Sequence, residues 1–226
     1  MMANRVFMDA ELEEMGALTL DRLTQAIEAG DKVKAKNLAK QMYQESSQMH
    51  DMYVDWVALL MDYIYKNHGE NALYQALKAW AMQRPTVDIR KLDFRVRVEG
   101  LAAWLRGHLV PLKVEEDDEK VCITMEPCGS GQWLVRNGRY RSPCNLTMIQ
   151  KPHSITWGMT DFPIYCTHEP ILEIVSIEQL GYPAQVVVHP EKVARDKSCT
   201  FYIYKNVEDT PEEFYTRIGK KKPRKK

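Results

Sequence analysis

Apolar positions recur every three or four residues through the first hundred residues, and every second residue in several short runs after that. The first pattern predicts helices and the second predicts strands. Leu12, Met15 and Leu18 open a weak apolar face in a helical stretch over 9–107. Leu20, Leu23 and Ile27 lie on a second helix, with Thr19 or Asp21 as its cap and Gly30 as its stop. The longest periodic run covers 32–67, through Leu38, Met42, Met49, Tyr53, Trp56, Val57, Leu60 and Ile64. Gly69 ends it. Leu73, Leu77 and Trp80 mark a further helix over 70–82, which Arg84-Pro85 breaks. Leu92, Val96, Leu101 and Leu105 predict a fourth over 89–106.

Beyond residue 109 the period shortens. Glu115 to Glu119 reads as an exposed acidic turn, and Lys120 to Met125 alternates as a strand. Gln132 to Val135 is a second strand candidate, and Asn137-Gly138 signals a tight turn. Residues 141–165, rich in Pro, Gly and Trp, predict an ordered loop with a short strand over 154–157. Pro170 suits the first turn of a helix that Gly181 caps. Ala184 to His189 and Cys199 to Lys205 complete the strands. This order predicts an α+β fold, in which a helical N-terminal half packs on a small antiparallel sheet with one further helix. The expected regions are helices over 1–107, an α+β part over 108–206 integrated with them, and a tail over 207–226 that is basic at its end.

Composition narrows the function classes. With 226 residues, 45% hydrophobic and 27% charged, the chain resembles an ordinary globular protein and can bury a core without staples. Lys+Arg and Asp+Glu are both 31, so no global field steers it toward nucleic acid. No apolar run reaches bilayer length, and residues 1–9 lack the apolar core of a signal peptide. The expectation is a cytoplasmic protein with no membrane partner. The run from Lys220 to Lys226 reads as a solvated terminus. Five cysteines, all beyond residue 121, favour metal binding, catalysis or buried thiols over a disulfide framework.

Candidate chemistry concentrates in 125–169. Cys128, Cys166, His153 and His168 fall here, with thiolate and imidazole ligands that suit zinc. Their spacing is not that of a zinc finger, so zinc stays one option and the cofactor is otherwise unknown. Cys128 also precedes Gly129-Ser130-Gly131, whose backbone N–H groups could cradle an oxyanion. In that reading Cys128 or Cys166 is a nucleophile, His153 or His168 its base, and Asp161 or Glu169 the orienting or basic carboxylate. His50 and Tyr53 share a helix face and would close the pocket, with Trp157 and Tyr165 in its lining. The plainer alternatives are a buried thiol at Cys166, a simple turn at Gly129 to Gly131, and solvated helical carboxylates at Glu173 and Glu178. Gly129, Gly131 and Lys151 make neither a phosphate loop nor a dinucleotide fingerprint.

Three stretches carry a resemblance: Tyr165-Cys166-Thr167-His168-Glu169, then Ile177 to Pro183, then Cys199 to Lys205. Together they resemble the bacterial L-2-amino-thiazoline-4-carboxylate hydrolases and the related vinyl-reductase-type small-molecule-binding domains. The Pro127 to Gly131 loop and Lys151-Pro152-His153 look like hallmarks of a separate bacterial branch, in which Cys-x-His-Cys would stand where this chain has Cys166-Thr167-His168-Glu169. The resemblance implies a small-molecule site between helices and sheet that hydrolyses a C–N bond in a small heterocyclic or amide-like substrate. A non-catalytic small-molecule or metal sensor, with Trp104, Trp133 and Trp157 around its ligand, is the alternative. The long amphipathic helix suits packing within the monomer or across a homodimer.

Overall fold

The computed structural model describes residues 6–83, 87–190 and 198–223. The predicted break at Arg84-Pro85 and residues 224–226 of the basic end lie outside them. The chain forms two compact units, Met1–Met52 and Tyr53–Lys226. The first holds α1 (Asp9–Gly16), α2 (Thr19–Glu28) and the start of α3 (Lys32–Met82). Among its described residues, Ala26 and Leu38 are the buried apolar ones. Neither Thr19 nor Asp21 caps α2. The cap position is Leu18, with no side-chain bond, and the Thr19 hydroxyl instead donates to Glu45 at 2.8 Å.

In the second unit α3 continues, broken at Gly69, where φ is +84° and ψ 176°. Only glycine adopts that backbone without strain, which is why the break falls there. Val54, Ala58, Met61, Leu73, Leu77 and Ala81 on α3 share one core with the sheet and the later helix. Buried residues on either side of residue 107 thus lie in the same core. The predicted fourth helix is a 3-10 turn (Ile89–Lys91) and α4 (Phe94–Arg106). Asp88 caps the first through Arg90 N–H and Asp93 caps the second through Arg95 N–H, so two caps divide one periodic run.

The expected α+β architecture is present. One antiparallel sheet runs in the order β1, β2, β6, β5, from β1 (Leu112–Glu116), β2 (Lys120–Met125), β5 (Val186–Val188) and β6 (Thr200–Tyr204). Val121 opposes Ile203, Ile123 opposes Phe201, and Val187 opposes Phe201 from the other side. All are buried, so alternation puts one sheet face in the core. Glu115 and Glu116 belong to edge strand β1 rather than to a turn. Charge on an edge discourages further pairing, and a turn-like sequence is compatible with that position.

Between the sheet's halves lie α5 (Gly131–Arg136), the two-residue pair β3 (Met148–Ile149) and β4 (Phe162–Pro163), and α6 (His168–Leu180). The strand expected over 132–135 is thus helix α5. Its first turn is closed by Leu134 N–H on Ser130 O at 3.0 Å. Likewise Ser154–Thr156 is a 3-10 turn and not a strand, because His153 Nδ1 accepts Ile155 N–H. Helix α6 ends as expected at Gly181, with φ +84°. It buries Ile171, Ile174, Val175 and Ile177, each worth about 2 kcal/mol of transfer free energy. Residues 207–219 are no tail. A 3-10 turn (Val207–Asp209) buries Val207, α7 (Glu213–Thr216) buries Phe214 and Tyr215, and Ile218 just beyond α7 is buried as well.

Candidate functional site

Cys128 sits between β2 and α5, and three side chains hold its backbone. Its N–H donates to Ser198 Oγ at 2.9 Å and to Gln132 Oε1 at 3.2 Å, while Ser198 Oγ donates to the same Gln132 oxygen at 3.0 Å. Arg136 Nη2 donates to Cys128 O at 3.0 Å. The Cys128 Sγ lies 3.7 Å from Ser130 Oγ, and the Ser130 hydroxyl is also bonded to the Tyr165 phenol. Tyr165 is buried, and burial first, then the nearby thiols and Glu169, hold its phenol well above the ordinary range.

Gly129 and Gly131 serve close packing here. A Cβ on Gly129 would stand 2.5 Å from His108 O, and one on Gly131 would stand 2.7 Å from Cys166 Sγ. The second contact presses the Cys166 sulfur against the start of α5, so the Cys128 loop and the Cys166 turn meet. Cys166 belongs to the 3-10 turn Ile164–Thr167 that runs into α6, and Glu169 follows three residues later. That spacing keeps the two side chains close on one side of the turn.

The thiol group is larger than the sequence suggests. Burial raises the Cys166 thiol well above its ordinary value, and the neighbouring Cys128 and Glu169 push it further. Burial does the same to Cys199, with Cys166, Cys128 and Glu169 acting on it in turn. Cys128, Cys166 and Cys199 therefore share one electrostatic neighbourhood with the Glu169 carboxylate. All three thiols are free. Among the described residues, Glu169 Oε2 and Arg136 Nη1 are both buried without a hydrogen-bond partner. Native proteins leave few such groups unmet, so an acceptor and a donor are both unsatisfied beside the thiols.

The histidines divide. His168 Nδ1 lies 2.6 Å from Tyr165 O and its Nε2 lies 3.2 Å from Glu169 Oε1, which ties it to the cluster. His153 instead caps its own 3-10 turn through Nδ1 and meets Glu70 Oε1 through Nε2 at 2.7 Å. With both ring nitrogens engaged on that side, it does not join Cys128, Cys166 and His168 as a ligand. Among the described residues no group of three or more His, Cys, Asp or Glu is arranged to hold a metal ion. The zinc set drawn from the sequence is therefore not assembled. Asp161 is exposed, with φ +52°, at the start of β4. His50 is paired with Asp51 at 3.1 Å in the first unit. Tyr53, in the second, is 49% exposed and stacks on Trp56.

Trp157 points elsewhere, to a residue the periodicity placed in solvent. Its Nε1 donates to Glu173 Oε2 at 2.8 Å, and Val187 N–H donates to Glu173 Oε1 at 2.8 Å. Arg217 completes the set and lies over the Trp157 ring, 4.6 Å from its centroid. Trp157 holds φ +51°, costly for a bulky residue and secured here by its bond to Glu173. Glu178, by contrast, is exposed, as the sequence suggests, and pairs with Lys78 and Lys220. A separate cleft of about 290 Å3 opens between α4 and α6, lined by Leu101, Trp104, Leu172, Val175 and Leu180.

Sequence reasoning missed Gln132, Arg136, Ser198 and Arg217. Each acts through a backbone group or a residue distant in sequence, and no spacing rule marks such partners. Cys199 was readable only as one more buried thiol.

No protein-family model matches the chain, and neither a curated protein nor a solved structure matches it. No helix among the described residues is long and apolar enough to cross a membrane.

Proposed function

We propose that the chain is a hydrolase acting on a C–N bond of a small heterocyclic or amide-like substrate, at the cluster of Cys128, Cys166, His168 and Glu169. The observation that carries this reading is the buried, unpartnered Glu169 Oε2 beside three free thiols. A buried acceptor without a donor is costly, and a substrate N–H or a thiol proton would satisfy it. Arg136 Nη1, also unmet, would take an anionic group on the same substrate, such as a carboxylate.

In this reading Cys166 is the nucleophile and Glu169 its base. Burial keeps the thiol protonated at rest. Attack by Sγ on the C=O or C=N carbon passes the thiol proton to Glu169 Oε2. The C–N bond then breaks as that proton moves to the leaving nitrogen. Water, losing a proton to Glu169, displaces the acyl group from sulfur, and the thiolate takes the proton back. His168 holds Glu169 Oε1, and Cys128 stands in the same neighbourhood.

The test is a panel of small cyclic amidines and amides, with and without a carboxylate, read by amine release and by intact mass. Turnover of carboxylate-bearing members with an acyl adduct on Cys166 is expected, lost in Cys166→Ala and in Glu169→Gln. Turnover that survives Cys166→Ala would rule this assignment out.

A second reading, a non-catalytic small-molecule sensor, is favoured by one observation, the apolar cleft beside Trp104. Its volume is near the low end for small-molecule pockets. Binding of an apolar probe there, read by tryptophan quenching and lost in Trp104→Ala while the thiol cluster is intact, would support it.

A further inference from the structure

The part of α3 in the second unit is apolar on two opposite faces. Val54, Ala58 and Met61 are buried in the core. Turned away from them, Tyr53, Trp56, Val57, Leu60 and Tyr63 are between 43% and 59% exposed, and Leu59 flanks them at 41%. A helix with a second apolar stripe beyond the one its core covers has a face left to bury. The outward residues follow spacings of three, four and three, from Tyr53 to Trp56 to Leu60 to Tyr63. That is the seam of one helix packed against another. Tyr53 stacks on Trp56 with ring centroids 6.3 Å apart, so these two aromatic residues of the stripe are neighbours in one cluster.

We propose that this face is the contact with a second copy of the chain, helix against helix across a twofold axis. The area argues for it. Six side chains of this size, each about half exposed, offer roughly 600 Å2 of apolar surface. With interfaces about 60% apolar, the full patch approaches 1,000 Å2, against the roughly 800 Å2 per partner of a stable pair. The apolar part alone stands at the top of the range of roughly 300–600 Å2 for the largest apolar patch on a monomer. The composition argues the same way, since aromatic residues are enriched in interface cores while charged ones are depleted. The two carboxylates of this stretch of helix lie off the stripe and are already engaged, Asp55 by Arg139 and buried Asp62 by Lys66, so no charge within the stripe selects an acidic or basic partner. A face that is its own complement in apolarity and spacing is met most simply by itself.

Sedimentation equilibrium of the full chain at micromolar concentration is the test. The wild type should be a dimer, and Trp56→Ser or Leu60→Ser should weaken it by about 30-fold or more, as central anchors do, with the far-ultraviolet circular dichroism unchanged. Both residues are exposed in the monomer, so the variants should fold. Should either fail to, hydroxyl-radical footprinting of the unmodified protein decides the matter. Trp56, Tyr53 and Tyr63 protected in concentrated solution and oxidised on dilution support the contact. A monomeric wild type, a dimer indifferent to both substitutions, or full oxidation of these rings at high concentration overturns it and leaves the face for a different protein.

Discussion

Arg217 Nη2 donates to Glu173 Oε1 at 2.5 Å, joining positions 44 apart in the chain. Arg217 Nη1 also donates to Val187 O at 2.9 Å. One side chain from the last helical turn thus fastens α6 and β5 together, with its plane over Trp157 and Phe214. Removing one partner of a buried pair leaves the other charge uncompensated. Arg217→Ala is expected to cost about 3 kcal/mol in denaturant unfolding, and adding Glu173→Gln should recover part of that loss. A double variant no more stable than Arg217→Ala would show that the ion pair is not what the arginine supplies.

Glu173 gives this pair a pH dependence with a definite sign. Burial pushes its carboxyl up to about 7 from an ordinary 4.5, against the pull of Arg217, Val187 N–H and Trp157. Between those values the folded chain holds a proton that the unfolded chain releases. The stability from this group is therefore complete below about 4.5 and is lost as pH rises through about 7. Unfolding midpoints measured from pH 4.5 to pH 8 should fall more steeply in the wild type than in Glu173→Gln. The cost of Arg217→Ala should grow only as pH rises through about 7, where the carboxylate that misses its cation is ionised. Parallel slopes for wild type and Glu173→Gln would exclude Glu173 as the source.

Gly131 is required by the Cys166 sulfur. A Cβ there would stand 2.7 Å from Cys166 Sγ, closer than van der Waals contact allows. Gly131→Ala should cost about 1–3 kcal/mol, the range for overpacking a filled site. In a Cys166→Ala background the obstructing atom is gone and the cost should fall well below that. Thermal denaturation of the four proteins in this cycle measures the coupling. Additive losses would mean that the glycine is needed for its backbone alone.

The α+β class, the long helix with its break at Gly69, the β2 and β6 strands and the Gly181 stop were all legible, because each rests on periodicity or on a backbone that glycine alone adopts. The departures have local causes. Gln132 to Val135 alternates like a strand, yet Ser130 O closes a helical turn over it. The charged stretch after residue 206 hid Val207, Phe214, Tyr215 and Ile218, which are too widely spaced to look like a core element. Within the site, the sequence marked Cys128, Cys166, His168 and Glu169, and the fold brings these into one neighbourhood with Cys199. It also marked His153 as a partner, which the fold gives to Glu70. Glu173 looked like one more solvated helical carboxylate, because its partners lie on a loop, a strand and the last helix. Such pairings are long-range, and no local pattern contains them.

Glu169 allows one experiment whose two readouts move in opposite directions. Its carboxylate helps hold the Cys166 thiol in the protonated form, after burial. Alkylation of Cys166 by iodoacetamide should be slow at neutral pH and should rise only well above the ordinary thiol range, since the thiolate is the reacting species. Glu169→Gln removes a negative charge from beside the sulfur, so the thiol should ionise more readily and alkylate faster at pH 8. As the proposed general base, the same carboxylate is needed for turnover, so Glu169→Gln should abolish it. A residue that only shapes the site would shift both readouts together, or neither. Peptide mapping of labelled Cys166 alongside amine release from a turned-over substrate separates these cases. Faster labelling with lost turnover assigns Glu169 as base to Cys166. Slower labelling with lost turnover would mean that the substitution has collapsed the cluster, and faster labelling with intact turnover would remove Glu169 from the reaction.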